Sequence, residues 1–332
     1  MRKAGQCLAR ATRSYRLCDW HASVESAEEG LSQALPAAAS LDVKRLLLNT
    51  QGLSLHLLGE TEAAHERLTE ALKMATAAAA GGGHDAYVDI AGALGDVAAN
   101  HIARQELSEA EAALKRGLFM LQRAYRPSSV ARAVLLQVRG LMYEAQGEYT
   151  AAFDSHQDAH ATLVATPPAP PLDDRAPSWL QACRSGSTWA LLQQGSSAAA
   201  DALAAADVSG ASRLTPLDPR EKAFARSLAA ITSLSAAATQ DGPSGSALAA
   251  QMQGAATLRS VVDELTACLG AEHQETCKAR ENAAMASGGA ADEMMMKWRR
   301  HWQPALGCGL DAEVKVTWMR QPSMDQSYHH IS

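Results

Sequence analysis

Two sets of side chains have types and spacings that could bind a metal ion. His156 and His160 are four residues apart, so on a helix their imidazoles would share one face. Cys268, His273 and Cys277 supply two thiols and an imidazole in one short stretch. Zinc uses such ligands in structural and catalytic sites. A metal-bearing regulatory or catalytic protein is therefore one functional alternative.

Neither set has the spacing of an established metal site. The Cys268, His273 and Cys277 spacings match no common zinc pattern, even with Cys308 as a fourth ligand. His156 falls where an internal repeat has a leucine, which favours a packed histidine. The sequence also has no HExxH or GxSxG motif and no paired acid motif. We predict no catalytic residues, no bound metal and no cofactor, and thus a protein that is not an enzyme.

A glycine-rich segment, Ala80 to His84, is the one place that suggests a phosphate-binding loop. It follows a helical pattern, with no strand before it and no Lys-Ser/Thr pair after it. A phosphate-binding loop needs both features. The segment therefore predicts a flexible linker between helical units.

The composition predicts an all-helical protein. Alanine is the dominant apolar residue, aromatic residues make up 5% of the chain, and there are three Phe. Alanine has the highest helix propensity, and residues that favour strands are sparse. The net charge is −6 with both signs mixed along the chain, which argues against a nucleic-acid partner. No apolar run is long enough to span a bilayer, so we predict no membrane span.

The cysteines and the N-terminus bear on location. The six cysteines include no CxxC pair and no secretory segment is evident, which predicts reduced thiols in a cytoplasmic protein. Residues 1–18, however, are acid-free and basic, as in a mitochondrial or plastid presequence. The same residues also fit the first helix of a repeat array. Their basic side chains are Arg2, Lys3, Arg10, Arg13 and Arg16.

An internal repeat dominates the first half of the chain. Residues 48–64 and 136–152 align without a gap, with Gly52 opposite Gly140. In the first copy Leu48, Gln51, Gly52 and Leu55 lie at i, i+3, i+4 and i+7, which is the spacing of one helix face. A second glycine, Gly59 in the first copy, then ends the helix before a second helix begins. The pattern predicts helical hairpins whose axes approach closely at the small residues.

Two looser copies, around residues 11–30 and 94–117, complete a set of four hairpins. Equivalent positions are separated by 41, 46 and 42 residues. That period exceeds the usual 34 residues of tetratricopeptide repeats and indicates longer helices. One hairpin cannot bury its apolar face alone, so the hairpins must stack. Extending the alignment places Leu68 opposite His156.

The second half predicts a more degenerate array. Residues 166–177 are proline-rich and predict an extended linker. Residues 178–303 resume the helical pattern and end in a basic Met- and Trp-containing segment, 294–302, which is a capping helix or a binding segment. Residues 304–332 predict a mostly disordered tail. Residues 1–165 hold the array of about four hairpins.

One segment resembles the kinesin-light-chain type of tetratricopeptide repeat. Residues 269–276 read Leu-Gly-Ala-Glu-His-Gln-Glu-Thr, and Asn282 follows in the next predicted helix. The turn prolines and a leucine of that family are replaced here by Ala271, Gln274 and Ala283. The resemblance implies an all-α, right-handed α-solenoid of helical hairpins with a concave groove. It does not imply motor binding, because this repeat type is widespread among unrelated scaffolds. The sequence also has no heptad segment to recruit a partner by coiled coil.

The implied fold suggests where a partner would bind. In tetratricopeptide proteins the first helix of each hairpin faces the groove. We therefore predict a non-catalytic scaffold or adaptor that binds a peptide or helix of another protein, or alternatively an organelle-imported assembly factor of the same fold. Each candidate contact residue could instead be a solvated residue on a helix face. The candidates are Asn49, His56, Asp96, Asn100, Gln137, Glu144 and Asn282.

Overall fold

The described part of the chain is built from α-helices. The computed structural model describes residues 2–16, 19–33, 37–79, 86–124, 129–165, 176–211, 219–238, 245–272 and 274–288. No strand occurs within these ranges. The helices there are α1 (Arg2–Arg16), α2 (Trp20–Ser32), α3 (Ala37–Leu57), α4 (Thr61–Ala79), α5 (Ala86–Ala103), α6 (Leu107–Arg123), α7 (Ser129–Gln146), α8 (Tyr149–Ala165), α9 (Ala176–Gln193), α10 (Ser197–Ala211), α11 (Pro219–Ala238), α12 (Gly245–Leu269) and α13 (Gln274–Gly288).

These helices pack as consecutive neighbours within two compact units. The described residues up to Val138 form the first unit, and those from Arg139 form the second. In the first unit α1 packs against α2, α3 against α4 and α5 against α6. In the second, α9 packs against α10, and α11 against α12. This is the hairpin pairing that the repeat pattern predicts.

The predicted linker at 166–177 is only partly described. Residues 166–175 lie outside the described part, and Ala176 and Pro177 belong to the first turn of α9. A helix accepts proline there because its first amides have no partner within the helix. The segments 80–85 and 289–332 also lie outside the described residues. The four predicted domain ranges therefore stay a prediction.

First and second helices of a hairpin are buried differently. Every residue from Ile90 to Ala98 in α5 is buried, and so is every residue from Arg45 to Leu55 in α3. The second helix α4 buries only the stripe Ala64, Leu68, Ala71 and Ala75. Spacings of four, three and four residues are those of one helix face. In these hairpins α3 and α5 are thus buried on most of their faces, whereas α4 packs on α3 with one face.

Glycine ends the first helix of three hairpins. Gly59, Gly147 and Gly195 have φ of +85°, +79° and +76°. Beyond Gly59, the amide of Glu60 donates to the carbonyl of Leu55 at 2.9 Å, as in a Schellman motif. A left-handed residue without a Cβ closes this turn with little strain. The helix-ending role predicted for Gly59 is confirmed.

The third hairpin makes the same turn with Gln105. Its φ is +62°, and the amide of Glu106 donates to the carbonyl of His101 at 2.9 Å. A side chain in this left-handed conformation costs about 1 kcal/mol. We expect Gln105→Gly to stabilise the first unit by about 0.5–1 kcal/mol, measured by urea unfolding. The control Gly59→Gln should destabilise by a similar amount. Equal stability of all three proteins would contradict this account of the turn.

The basic N-terminal segment forms part of the core of the first unit. Leu8 and Ala11 of α1 are completely buried, and they pack in one cluster with Ala27 of α2 and Leu47 of α3. The exposed positions of α1 include Lys3, among other charged residues. Residues 2–16 are thus the first helix of the first hairpin, as one of the two sequence interpretations predicts.

Candidate functional site

Four of the predicted partner-binding residues come together between α3 and α5. Asn49 Nδ2 donates to Asp96 Oδ2 at 3.1 Å. Asn100 Nδ2 donates to the carbonyl oxygen of Thr61 at 3.1 Å and lies 3.4 Å from His56 Nδ1. Asn49, Asp96 and Asn100 are buried, whereas His56 is partly exposed. These side chains form a polar row that holds the second hairpin against the third.

The row continues to an ion pair that the sequence analysis missed. Arg45 Nη2 lies 3.3 Å from Asp89 Oδ2, and these side chains are 9% and 18% exposed. Arg45 precedes Asn49 by one helical turn, and Asp89 precedes Asp96 by two turns. This spacing places Arg45 and Asn49 on one face of α3, and Asp89 and Asp96 on one face of α5. It is the sequence signal that could have revealed the ion pair. We call Arg45, Asn49, His56, Asp89, Asp96 and Asn100 the polar row.

The remaining three candidates lie elsewhere. Gln137 is buried in α7 at the end of the first unit. Glu144 and Asn282 belong to the second unit, in α7 and α13. The Glu144 side chain is 8% exposed and Asn282 is 7% exposed. Their role in partner binding stays a prediction.

Glu144 contacts a histidine in a tightly filled position. His156 Nε2 lies 2.9 Å from Glu144 Oε1, and His156 is completely buried. A Cβ on Gly140 would lie 2.2 Å from His156 Cε1, and one on Gly186 would lie 2.7 Å from His156 Nε2. The imidazole thus takes the space of two absent side chains. The interpretation of His156 as a packed histidine is confirmed.

The other described candidates for metal binding are exposed or contact other groups. His160 Nε2 accepts a hydrogen bond from Arg184 Nε at 3.2 Å. Cys268 is an exposed free thiol, and Cys277 Sγ lies 3.8 Å from the carbonyl oxygen of Ala271. His273 and Cys308 lie outside the described residues. Among the residues that are described, no group of three His, Cys, Asp or Glu could hold a metal ion.

The buried thiol of Cys183 is chemically quiet. Cys183 is 2% exposed in α9, and burial raises the pKa of its thiol to about 12. The thiolate is the nucleophilic form of cysteine. Cys183 therefore stays protonated near neutral pH and acts as a small apolar side chain.

A second polar cluster of the first unit joins the same two hairpins. The rings of His65 and His101 meet edge to face, with centroids 5.0 Å apart. His101 Nδ1 lies 2.7 Å from Glu106 Oε2. Arg104 Nη2 lies 3.0 Å from Glu106 Oε1 and 3.2 Å from Glu62 Oε2. The sequence gives no sign of this cluster, because its members come from different hairpins.

Within the described ranges, no helix has the length and apolar character needed to cross a membrane. The polar row and the His65–His101 cluster both lie between helices that pack on one another.

Comparisons with known proteins reveal the fold. No protein-family model and no curated protein matches the chain. The chain is similar to the crystal structure of the apo form of RapI, at 12% identity and a TM-score of 0.53 over 90% of this chain and 99% of that one. It is also similar to a Rap protein complexed with Competence and Sporulation Factor, at 13% identity and a TM-score of 0.57 over 94% and 75% of the two chains.

These similarities, together with the helical hairpins, show that the chain has a tetratricopeptide-like, all-α helical repeat fold. The fold class predicted from the sequence is confirmed. At these identities the likeness concerns the fold alone. The kinesin-light-chain repeat type stays a prediction.

Proposed function

We propose that the chain is a non-catalytic interaction scaffold whose first unit binds a peptide or helix of another protein along α3 and α5. The polar row carries this proposal. Its amide and charged side chains are held in pairs across two hairpins, such as Asn49 with Asp96 at 3.1 Å. Side chains that are already fixed lose little conformational entropy when a ligand binds.

The members of the polar row have two different roles in this proposal. Asn49, Asp96 and Asn100 are too buried for first contact, so they set the spacing of α3 and α5. His56 and Asp89 are the more exposed members, near opposite ends of the row. An imidazole and a carboxylate can hydrogen-bond to the amides and basic side chains of a peptide. A ligand would therefore be anchored at these two residues.

Two histidines and one buried cysteine are held by neighbouring groups, which is consistent with a binding role. His156 and His160 are engaged in packing and in contacts with Glu144 and Arg184. Cys183 is held in its protonated form. One protein of similar fold was crystallised with Competence and Sporulation Factor. By analogy of fold alone, we extend the binding of a partner molecule to this chain.

Selection from a random peptide library against the full chain tests this proposal. We expect His56→Ala and Asp89→Asn each to weaken the selected peptides about tenfold, which is about 1.4 kcal/mol. The matched control is Phe119→Ala, because Phe119 is 50% exposed on the second helix α6. Circular dichroism checks that each variant is folded.

The test compares the peptide affinities of the His56 and Asp89 variants with that of the Phe119 variant. Peptides that lose affinity in the His56 and Asp89 variants but not in the Phe119 variant would support the polar row as the site. Peptides that bind all three variants as well as the unchanged chain would refute it. Loss of affinity in the Phe119 variant alone would place the binding surface on the second helices.

A further inference from the structure

We propose that His65 and His101 form a pH-responsive joint between the second and third hairpins, which loosens in mildly acidic solution. His65 lies on α4 of the second hairpin, and His101 lies in the last turn of α5 in the third. Their rings meet at 5.0 Å between centroids with an interplanar angle of 60°. This contact lies where α4 packs against α5.

The elements packed near the pair carry several charged and titratable groups. Arg104 links two carboxylates, at 3.2 Å to Glu62 and 3.0 Å to Glu106, so its guanidinium is fixed inside the cluster. The groups around the pair are Glu62 of α4, His56 of α3, Arg104 and Glu106 of the turn after α5, and Glu109 of α6.

The surroundings of His65 favour its neutral form. Its Nε2 lies 3.5 Å from the hydroxyl of Thr69, which can accept or donate a hydrogen bond. Its Nδ1 is buried and makes no close hydrogen bond among the described residues, and the Asn100 side chain interacts weakly with the ring. A neutral ring can leave Nδ1 unprotonated. An imidazolium would bury a second N–H group, and its interaction with the Asn100 side chain offsets only part of the cost of burying the charge.

The electrostatic surroundings act in the same direction. Burial, then the Arg104 guanidinium, then His101 lower the pKa of His65 below its ordinary value. Asn100 and Glu106 oppose this shift more weakly. His101 Nδ1 lies 2.7 Å from Glu106 Oε2. A proton on His65 would add a positive charge close to the Arg104 guanidinium.

The direction of the pH effect follows from proton linkage. The pKa of His65 is lower in the folded chain than in an opened joint, where histidine has about 6.5. The opened form therefore binds more protons as the pH falls. The joint is fully stable above about pH 6.5 and loses stability as the pH falls toward the lowered pKa. Asn100 is a member of the polar row that donates to the carbonyl of Thr61 and lies beside His56. The joint therefore adjoins the polar row. The pH response of the joint requires no bound ligand.

Hydrogen exchange of the full chain tests the joint. Exchange in α4 and α5 is measured at about pH 7.5 and about pH 5.5, corrected for the intrinsic pH dependence. We expect these helices to exchange several-fold faster at the lower pH, while α11 and α12 do not. His65→Phe keeps an aromatic ring against His101 and should abolish the difference. His21→Phe, at an exposed position of α2, should respond like the unchanged chain.

Two results would overturn the proposal. The first is the absence of faster exchange in the unchanged chain, and the second is an equal pH response in His65→Phe. If circular dichroism shows that His65→Phe is not folded, an NMR titration of the unchanged chain decides. A His65 pKa below that of the exposed His21 supports the joint, and a His65 pKa equal to or above it refutes the joint.

Discussion

Replacing Leu68 with alanine is expected to destabilise the first unit by about 2–5 kcal/mol. Leu68 is 1% exposed and belongs to a cluster with Trp20, Leu53 and Val97. It also fills the space at Gly52, where a Cβ would lie 2.7 Å from Leu68 Cγ. Truncation therefore removes contacts on both sides of the second hairpin and leaves a cavity between rigid helices.

Urea unfolding of the full chain measures this loss from the transition of the first unit. The control is Leu41→Ala, because Leu41 is 56% exposed on α3 and its truncation should change stability by less than about 0.5 kcal/mol. Equal losses for the two variants would mean that Leu68 does not join the hairpins as described. An unchanged slope against urea shows that the comparison concerns stability alone.

Gly140→Ala is expected to lower the stability of the second unit by about 1–3 kcal/mol. Alanine normally strengthens a helix relative to glycine by about 1 kcal/mol, so the expected sign is opposite to helix propensity. The cause is contact, because the added Cβ would lie 2.2 Å from the ring of His156. The ring cannot retreat easily, since Gly186 of α9 bounds its other side.

The matched control for this prediction is Gly5→Ala in α1. Nothing lies within 4 Å of a Cβ at Gly5, so this change should stabilise by about 0.5–1 kcal/mol. In a His156→Ala background the cost of Gly140→Ala should disappear, which a double-mutant cycle in urea detects. Stabilisation by Gly140→Ala in the unchanged chain would contradict the close packing of His156.

The Leu68→Ala and Gly140→Ala predictions concern the same packing contact in two copies of the repeat. The sequence aligns Leu68 with His156 and Gly52 with Gly140, and in the structure each large side chain packs on its aligned glycine. Such packing is predictable because both helices of a hairpin are close in sequence and need a small residue where they cross.

The contacts between hairpins could not be predicted in this way. Helix periodicity indicates which face is apolar, but not how many neighbours cover the polar face. Asn49, Asp96 and Asn100 were expected to face a groove or solvent, and they are buried between α3 and α5. His65 and His101 meet only because two hairpins pack together, so no local pattern marks them.

Site-specific photo-cross-linking tests the central claim most directly, namely that a peptide binds along α3 and α5. A benzophenone amino acid is placed at position 86 on α5 or at position 119 on α6 of the full chain, and each protein is irradiated with library-selected peptides. We expect peptides to cross-link at position 86 and not at position 119, because Ala86 is partly exposed three residues before Asp89 on α5 and Phe119 lies on a second helix. Cross-links at position 119 alone, or none at position 86, would contradict the account.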